Sequence, residues 1–162
     1  MIKGQVSHEL EVGAPAAVVW ETYGTLQLGK LVVKLLPNIF QDIQAEGDGG
    51  VGTVLSLTFA PVGAPAFAVY KEKFTKIDHE NRVKETEVVE GGFLDLGFLL
   101  YRIRLQVLEK DSDSSIIQST IEYELAEEAA ANVSLVSTDS LVAIAEVIGN
   151  HLAEEYKAKL NS

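Results

Sequence analysis

The sequence predicts an α+β fold in which a curved antiparallel sheet is covered by one long C-terminal helix. Three observations carry that expectation. Between residues 39 and 125, apolar and polar residues alternate with period two in segments separated by turn-forming clusters. Residues 127–160 are rich in Ala, Leu, Glu and Lys, with Val133, Val136, Leu141, Ile144, Ile148, Leu152 and Tyr156 at helical spacing. The chain has 162 residues, 47% of them apolar, and no Pro/Ser-rich linker or repeat divides it. It therefore reads as one domain, 1–162, able to bury roughly 70% of its unfolded surface.

Residues 5–12 alternate through Val6, His8, Leu10 and Val12, which describes a strand with one buried face, stopped by Gly13-Ala14-Pro15. Pro15 suits the first turn of a helix. Val18, Val19, Trp20, Tyr23, Leu26 and Leu28 supply apolar positions for one or two short helices ending near Pro37, with Gly24 the expected point of separation. Strands over 39–45 and 51–59 flank Glu46-Gly47-Asp48-Gly49-Gly50, and strands over 67–77 and 82–90 flank Asp78-His79-Glu80-Asn81. A further pair, 93–108 and 115–125, is joined by 109–114. In its second strand Ile117, Ser119, Ile121 and Tyr123 share one face, and Gln118, Thr120, Glu122 and Glu124 the other. Residues 127–160 read as a single amphipathic helix, with a bend expected near Ser137-Thr138-Asp139-Ser140. Sheet and helix together can enclose a space, and periodicity leaves open whether side chains fill it or a ligand enters it.

Composition removes several functional classes. With 13 Lys+Arg against 24 Asp+Glu the net charge is −11, and no basic cluster is present, so nucleic acid is not an expected partner. The absence of cysteine excludes disulfides, thiolate metal sites and cysteine nucleophiles, and fits a cytoplasmic location. The opening residues carry no long apolar run, so neither a signal peptide nor a membrane anchor is expected. His8, His79 and His151 are far apart and lack ligand spacing, so no metal site is expected, and no Gly-x-Ser-x-Gly elbow occurs. The run Gly47-Asp48-Gly49-Gly50-Val51-Gly52-Thr53 invites comparison with a phosphate loop. A strand follows it rather than a helix N-terminus, which makes it a tight hairpin turn.

Chemistry is more plausible in Tyr70-Lys71-Glu72-Lys73-Phe74. Alternation puts Tyr70, Glu72 and Phe74 on one face and Lys71 and Lys73 on the other. If the first face is interior, Glu72 is a desolvated carboxylate with a raised pKa, suited to act as a general base; if exterior, it is a solvated charge. Lys84, with Arg82 and Thr86 on its own face, poses the same alternative, and a buried lysine is useful with carbonyls and amines.

Several motifs together resemble plant pathogenesis-related class 10 proteins of the Bet v 1-like family. They are His8-Glu9-Leu10-Glu11-Val12, the Gly-rich run 46–53, Tyr70-Lys71-Glu72-Lys73-Phe74 and Glu90-Gly91-Gly92-Phe93-Leu94-Asp95-Leu96-Gly97. The opening His8–Val12 motif and the Glu90–Gly97 motif, with Leu35-Leu36-Pro37, are similar to the norcoclaurine synthase branch. The resemblance covers nearly the whole chain. It implies a helix-grip fold: a seven-stranded antiparallel sheet around a long C-terminal helix, with two short helices and a large apolar cavity.

The resemblance also implies an activity. Norcoclaurine synthases are lyases of plant alkaloid biosynthesis that join dopamine to 4-hydroxyphenylacetaldehyde by a Pictet-Spengler condensation, with no cofactor. Norbelladine synthases of the same branch condense tyramine or dopamine with an aromatic aldehyde. Other class 10 proteins bind cytokinins, flavonoids or steroids without catalysis. By resemblance Lys84 is the lysine that handles protons during carbinolamine dehydration, Glu72 the carboxylate that takes the ring proton, and Tyr70 the tyrosine shaping the cavity mouth. Phe74, Tyr101, Ile103 and Ile144 are the expected ligand contacts. One departure stands out: the family's catalytic aspartate aligns with Ile103, between Arg102 and Arg104. The partners so implied are an arylethylamine and an aldehyde, or another apolar ligand, bound to a monomer or weak homodimer without membrane attachment.

Overall fold

The computed structural model describes residues 1–61 and 68–162. Seven strands form one sheet: β1 (Ile2–Val12), β2 (Phe40–Glu46), β3 (Val54–Phe59), β4 (Val69–Asp78), β5 (Val83–Gly91), β6 (Phe98–Asp111) and β7 (Ser114–Leu125). Their spatial order is β1-β7-β6-β5-β4-β3-β2, and each recorded pair is antiparallel. Two short helices, α1 (Ala16–Tyr23) and α2 (Gln27–Leu35), follow β1, and the long helix α3 (Asp139–Leu160) closes the chain. This is the α+β layout expected from the alternation pattern and the helix-grip architecture implied by the resemblance. The strand expected to begin at Phe67 has its first residue outside the described residues and continues as β4.

Register converts sequence position into place on the inner face. One row runs Phe74–Thr86–Ile103–Ile121–Val6 across β4, β5, β6, β7 and β1. The adjacent row runs Ile77–Lys84–Leu105–Ser119–His8. Because side chains alternate across a strand, the neighbours of Ile103 turn outward. Arg102 pairs there with Glu87 at 3.5 Å, and Arg104 with Glu85 at 3.4 Å and with Glu122. Opposite charges on adjacent strands hold this register from outside.

The helices seal the inner face. Val19, Trp20 and Tyr23 of α1, and Leu141, Ala145, Ile148 and Leu152 of α3, are buried in one cluster with Phe40, Phe59, Phe98, Ile117 and Leu125 of the sheet. Gly24 ends α1 as the sequence predicts, and the cause is steric: a Cβ there would lie 2.4 Å from the Trp20 ring. The Gly-rich turn between β2 and β3 is a hairpin connection. Gly47, Gly49 and Gly52 all take positive φ, the Gly49 N–H donates to Thr53 Oγ1 at 2.9 Å and the Gly50 N–H to Asp48 Oδ1 at 2.9 Å.

Three expectations need correction. Residues 93–96 are not strand. Gly92–Leu96 form a 3-10 helix between positive-φ glycines at 91, 92 and 97, a backbone that a strand ladder cannot continue through. Arg82 does not share a strand face with Lys84; it sits in the β4–β5 turn at φ 54°, where Asp78 accepts from the Asn81 N–H at 3.0 Å and from its side-chain amide at 2.9 Å. The final helix does not begin at Glu127. Glu127–Leu135 are 3-10 in character, the chain extends at Val136, and α3 starts at Asp139, whose N–H donates to Ser137 Oγ at 3.1 Å. Tertiary bonds hold this segment out of line with α3, since Asn132 Nδ2 donates to the Leu96 carbonyl at 2.7 Å and the Ala126 N–H to the Gly97 carbonyl at 3.0 Å.

Gly97 is the point where the two 3-10 segments meet, with φ +92° and Ala129 Cβ only 2.4 Å from a would-be Cβ. Gly97→Ala is expected to lower stability by about 2 kcal/mol or more, through backbone strain plus overlap. Gly13→Ala, whose added carbon would lie an ordinary 3.7 Å from Ala153 Cβ, is expected to change stability by under about 0.5 kcal/mol. Denaturant titration of the two variants checks the difference.

Candidate active site

Alternation along β4 and β5, adjusted by two irregularities, brings the ionisable groups inside. The β4–β5 register shifts between Lys71 and Glu72 and again between Phe74 and Lys76, so Tyr70, Glu72 and Phe74 face inward and Ile77 resumes the inner face beside Lys84. Lys71 and Lys73 are left outside, more exposed than their neighbours. Glu72 retains 8% exposure and Lys84 4%, which settles the interior alternative for both.

The space they face is a cavity of about 230 Å³ between the sheet, α2 and the start of α3. Its walls are almost wholly apolar, with Leu28, Val32, Phe40, Leu57 and Leu105 among the liners; Glu72, Lys84 and Thr86 are the polar groups from β4 and β5. Lys84 Nζ lies 4.5 Å from the centroid of the Phe74 ring, a cation–π contact that holds the ammonium against an apolar wall. Tyr70, Phe74, Ile103 and Ile144 line this cavity as well. Tyr101 lines a second, adjoining space of about 330 Å³ together with Phe59, Phe93, Ile121 and Asp139. Tyr70, Ile103, Ser140 and Leu141 border both. The interior is therefore two-lobed, with a waist at those four residues.

Burial dominates the electrostatics. It pushes the Glu72 carboxyl up from 4.5 to about 7, against a smaller opposing pull from Lys84. It pushes the Lys84 ammonium down from 10.5 to about 8, against a smaller opposing pull from Glu72. Burial also raises the Tyr70 and Tyr101 hydroxyls, and the nearby Glu72 charge adds to both shifts. An acid and an amine thus sit in one dry space, each near the protonation midpoint at neutral pH, a condition suited to proton transfer in both directions.

The seven residues singled out in the sequence converge on this two-lobed interior, six in the first lobe and Tyr101 in the second. Sequence reasoning missed Thr86 as a liner, although its period-two relation to Lys84 was the available signal. It missed Phe93, which reaches the second lobe through a 3-10 helix that periodicity did not reveal, and Asp139, although the bend expected near 137–140 falls at the break from which Asp139 starts α3.

The shifted groups cost stability in a pH-dependent way. Glu72 favours the folded state below pH 4.5, and that advantage drains away as pH rises through about 7. Lys84 favours the folded state above pH 10.5 and loses its advantage as pH falls through about 8. At about pH 6 Glu72 is largely protonated, so Lys84 alone is buried with its charge. Lys84→Met, which removes that charge and keeps the volume, is expected to raise stability there by about 2 kcal/mol. The gain should shrink as pH is raised from about 8 to 10.5. Denaturant titrations across that range check the trend, and unchanged stability at pH 6 would contradict the burial argument.

Comparison with known proteins places this geometry in a family. The chain is 50% identical over 155 residues to norbelladine synthase of Narcissus pseudonarcissus, covering 95% of this chain and 94% of that one. A norcoclaurine synthase point mutant from Thalictrum flavum, solved with a transition-state analogue, superposes with TM-score 0.87 at 37% identity, covering 95% and 96% of the two chains. The norcoclaurine synthase of the same plant in complex with dopamine and hydroxybenzaldehyde superposes with TM-score 0.82 at 40% identity, covering 91% and 85%. Residues 1–155 match the model of the pathogenesis-related protein Bet v 1 family, and with its sheet, long helix and hollow interior the chain belongs to that family.

Proposed function

We propose that this protein condenses an arylethylamine, dopamine or tyramine, with an aldehyde in a Pictet-Spengler-type reaction inside the first lobe. The observation that carries the reading is the burial of one carboxyl and one amine, Glu72 and Lys84, on adjacent strands of a single apolar cavity. The likeness to norbelladine and norcoclaurine synthases supports the same substrate pair.

Each step assigns a proton. The amine nitrogen attacks the carbonyl carbon to give a carbinolamine. Lys84, as ammonium, donates a proton to the departing hydroxyl, which leaves as water, and an iminium forms. The electron-rich ring of the amine substrate attacks the iminium carbon and closes a second ring. Glu72, as carboxylate, takes the proton from the attacked ring carbon and restores aromaticity. Tyr70, beside Glu72 at the waist, orients the guest and polarises its oxygen substituents. An apolar cavity favours dehydration because little water is present to reverse it.

A second outcome follows from Ile103. No carboxylate stands at that position, so nothing there neutralises the iminium while the ring turns to attack, and the reaction can stop at the open-chain imine. Incubation with dopamine and 4-hydroxyphenylacetaldehyde separates the cases. One enantiomer of the tetrahydroisoquinoline, formed faster than in buffer, supports cyclisation. A secondary amine obtained only after borohydride trapping supports the imine. Racemic product at the buffer rate rejects both and favours a ligand-binding role, which thermal stabilisation by cytokinins or flavonoids would then identify.

Lys84→Ala is expected to lower turnover by about 10²-fold or more while circular dichroism and the unfolding midpoint report an intact fold. In the unmodified protein kcat/KM is expected to trace a bell whose maximum lies between about pH 7 and about 8. The acid limb reports ionisation of Glu72 and the alkaline limb loss of the Lys84 proton, as macroscopic values of the pair. A profile flat from pH 6 to 9 would remove both groups from the rate-limiting step.

A further inference from the structure

The second lobe, about 330 Å³ beside the first at about 230 Å³, has no role in the proton transfers described above. We propose that it is the subsite for the aldehyde's aromatic ring, and that Tyr101 and Asp139 set which ring hydroxylation pattern is accepted. This inference rests on the condensation reading and deepens it by giving each substrate a separate compartment.

Volume comes first. A dry cavity of about 150 Å³ accommodates a single benzene ring, so 230 Å³ takes one substituted ring and leaves too little room for another. The adjoining lobe, which shares the waist with the first, offers the space for the second ring of a two-ring product. Chemistry then decides the order. Glu72 removes a proton from the ring of the amine substrate and lines only the first lobe, so that ring lies in the first lobe. The aldehyde's ring is left to the second, and the carbon joining them falls at the waist of Tyr70, Ile103, Ser140 and Leu141.

The second lobe is built for a flat, hydroxylated guest. The rings of Phe93 and Tyr101 stack at 3.8 Å and 5°, and with Ile121 they present a rigid apolar wall. Its polar lining residues are Tyr70 and Tyr101 of the sheet, Ser140, and the exposed Ser137 and Asp139 at the start of α3. A phenolic hydroxyl donates to a carboxylate in a charge-assisted bond, and a tyrosine hydroxyl can complete its coordination. Unsubstituted benzaldehyde gains neither bond. A few polar groups at the edge of an apolar pocket are what fixes the orientation of a small guest.

The test measures binding of each substrate alone, by ligand-detected NMR titration of the full chain. The protein is expected to bind 4-hydroxybenzaldehyde about fivefold to tenfold more tightly than benzaldehyde, the return of one or two hydrogen bonds. In the Tyr101→Phe/Asp139→Ala double variant that preference should fall to within twofold, while the dissociation constant for dopamine stays within twofold of its original value. A merely structural role for the two residues would weaken dopamine and both aldehydes alike, and that outcome overturns the proposal. So does a preference that survives the double substitution, or its absence in the unmodified protein. No turnover is needed for these measurements. A protein that shows the preference and its loss without condensing the pair retains the subsite and loses only the reaction.

Discussion

Holding a carboxyl and an amine inside an apolar shell is the constraint to which the rest of this molecule answers. Each ion taken from water costs several kcal/mol that mutual attraction returns only in part, and Glu72 and Lys84 show the imbalance in the direction of their shifts, since burial outweighs Coulomb attraction for both. The fold must supply the difference elsewhere. It does so with a continuous apolar cluster running from Val12 and Trp20 through the sheet to Leu152, and with surface charge placed where it helps. The Glu85, Glu87, Arg102, Arg104 and Glu122 ladder crosses the three strands that carry Lys84 and Ile103 on their other side. Register is strongly specified there from both faces, since a slip of one residue would bury the arginines and expel the lysine.

How far this was legible from sequence depends on the kind of signal. Period-two alternation depends only on geometry local to a strand, so the inward facing of Tyr70, Glu72 and Phe74 could be read directly, as could the pairing of hairpins around 46–50 and 78–81. Whether that face is interior cannot be read from alternation, which is blind to which side meets water; the burial of Glu72 and Lys84 decides it. Of the three errors, the misplacement of Arg82 is local, a turn closed by Asp78 and Asn81, and the other two have one origin. Residues 93–96 and 127–135 carry plausible strand and helix composition, and tertiary contacts override it: a Cβ-free approach at Gly97, and side-chain and backbone bonds linking 96–97 to 126–132. Such long-range bonds leave no periodic trace. Phe93, positioned by one of those irregular segments, was missed for the same reason.

The two lobes follow from the same irregular segments. A single helix over 127–160 would have run straight from β7 across the sheet. The break at 136–138 instead starts α3 afresh at Asp139, so Ser140, Leu141 and Ile144 face the cavity while Leu135 and Ser137 border the second lobe. The 3-10 helix at 92–96 brings Phe93 flat against Tyr101, which a strand continuing from β5 would have paired with its neighbour and turned away. Local departures from regular structure thus create the space that regular elements alone would have filled.

An apolar residue at 103 suits the charge balance of this interior. Ile103 lies in the inner row beside Thr86 and borders the cavity that Glu72 and Lys84 share. As the chain stands, one acid and one amine leave the lobe neutral when both are ionised or when the proton has passed between them. A carboxylate at the waist would set two acids against one amine. The like charge would push the Glu72 carboxyl further up and hold Lys84 more firmly protonated, and a proton would then be shared between two carboxyls rather than held by one. With an apolar side chain at 103, no second carboxylate moves Glu72 away from its midpoint near neutral pH. Ile103 and Leu141 then form the apolar side of a waist whose polar side is Tyr70 and Ser140, between the lobe that holds the acid and the amine and the lobe that holds Tyr101.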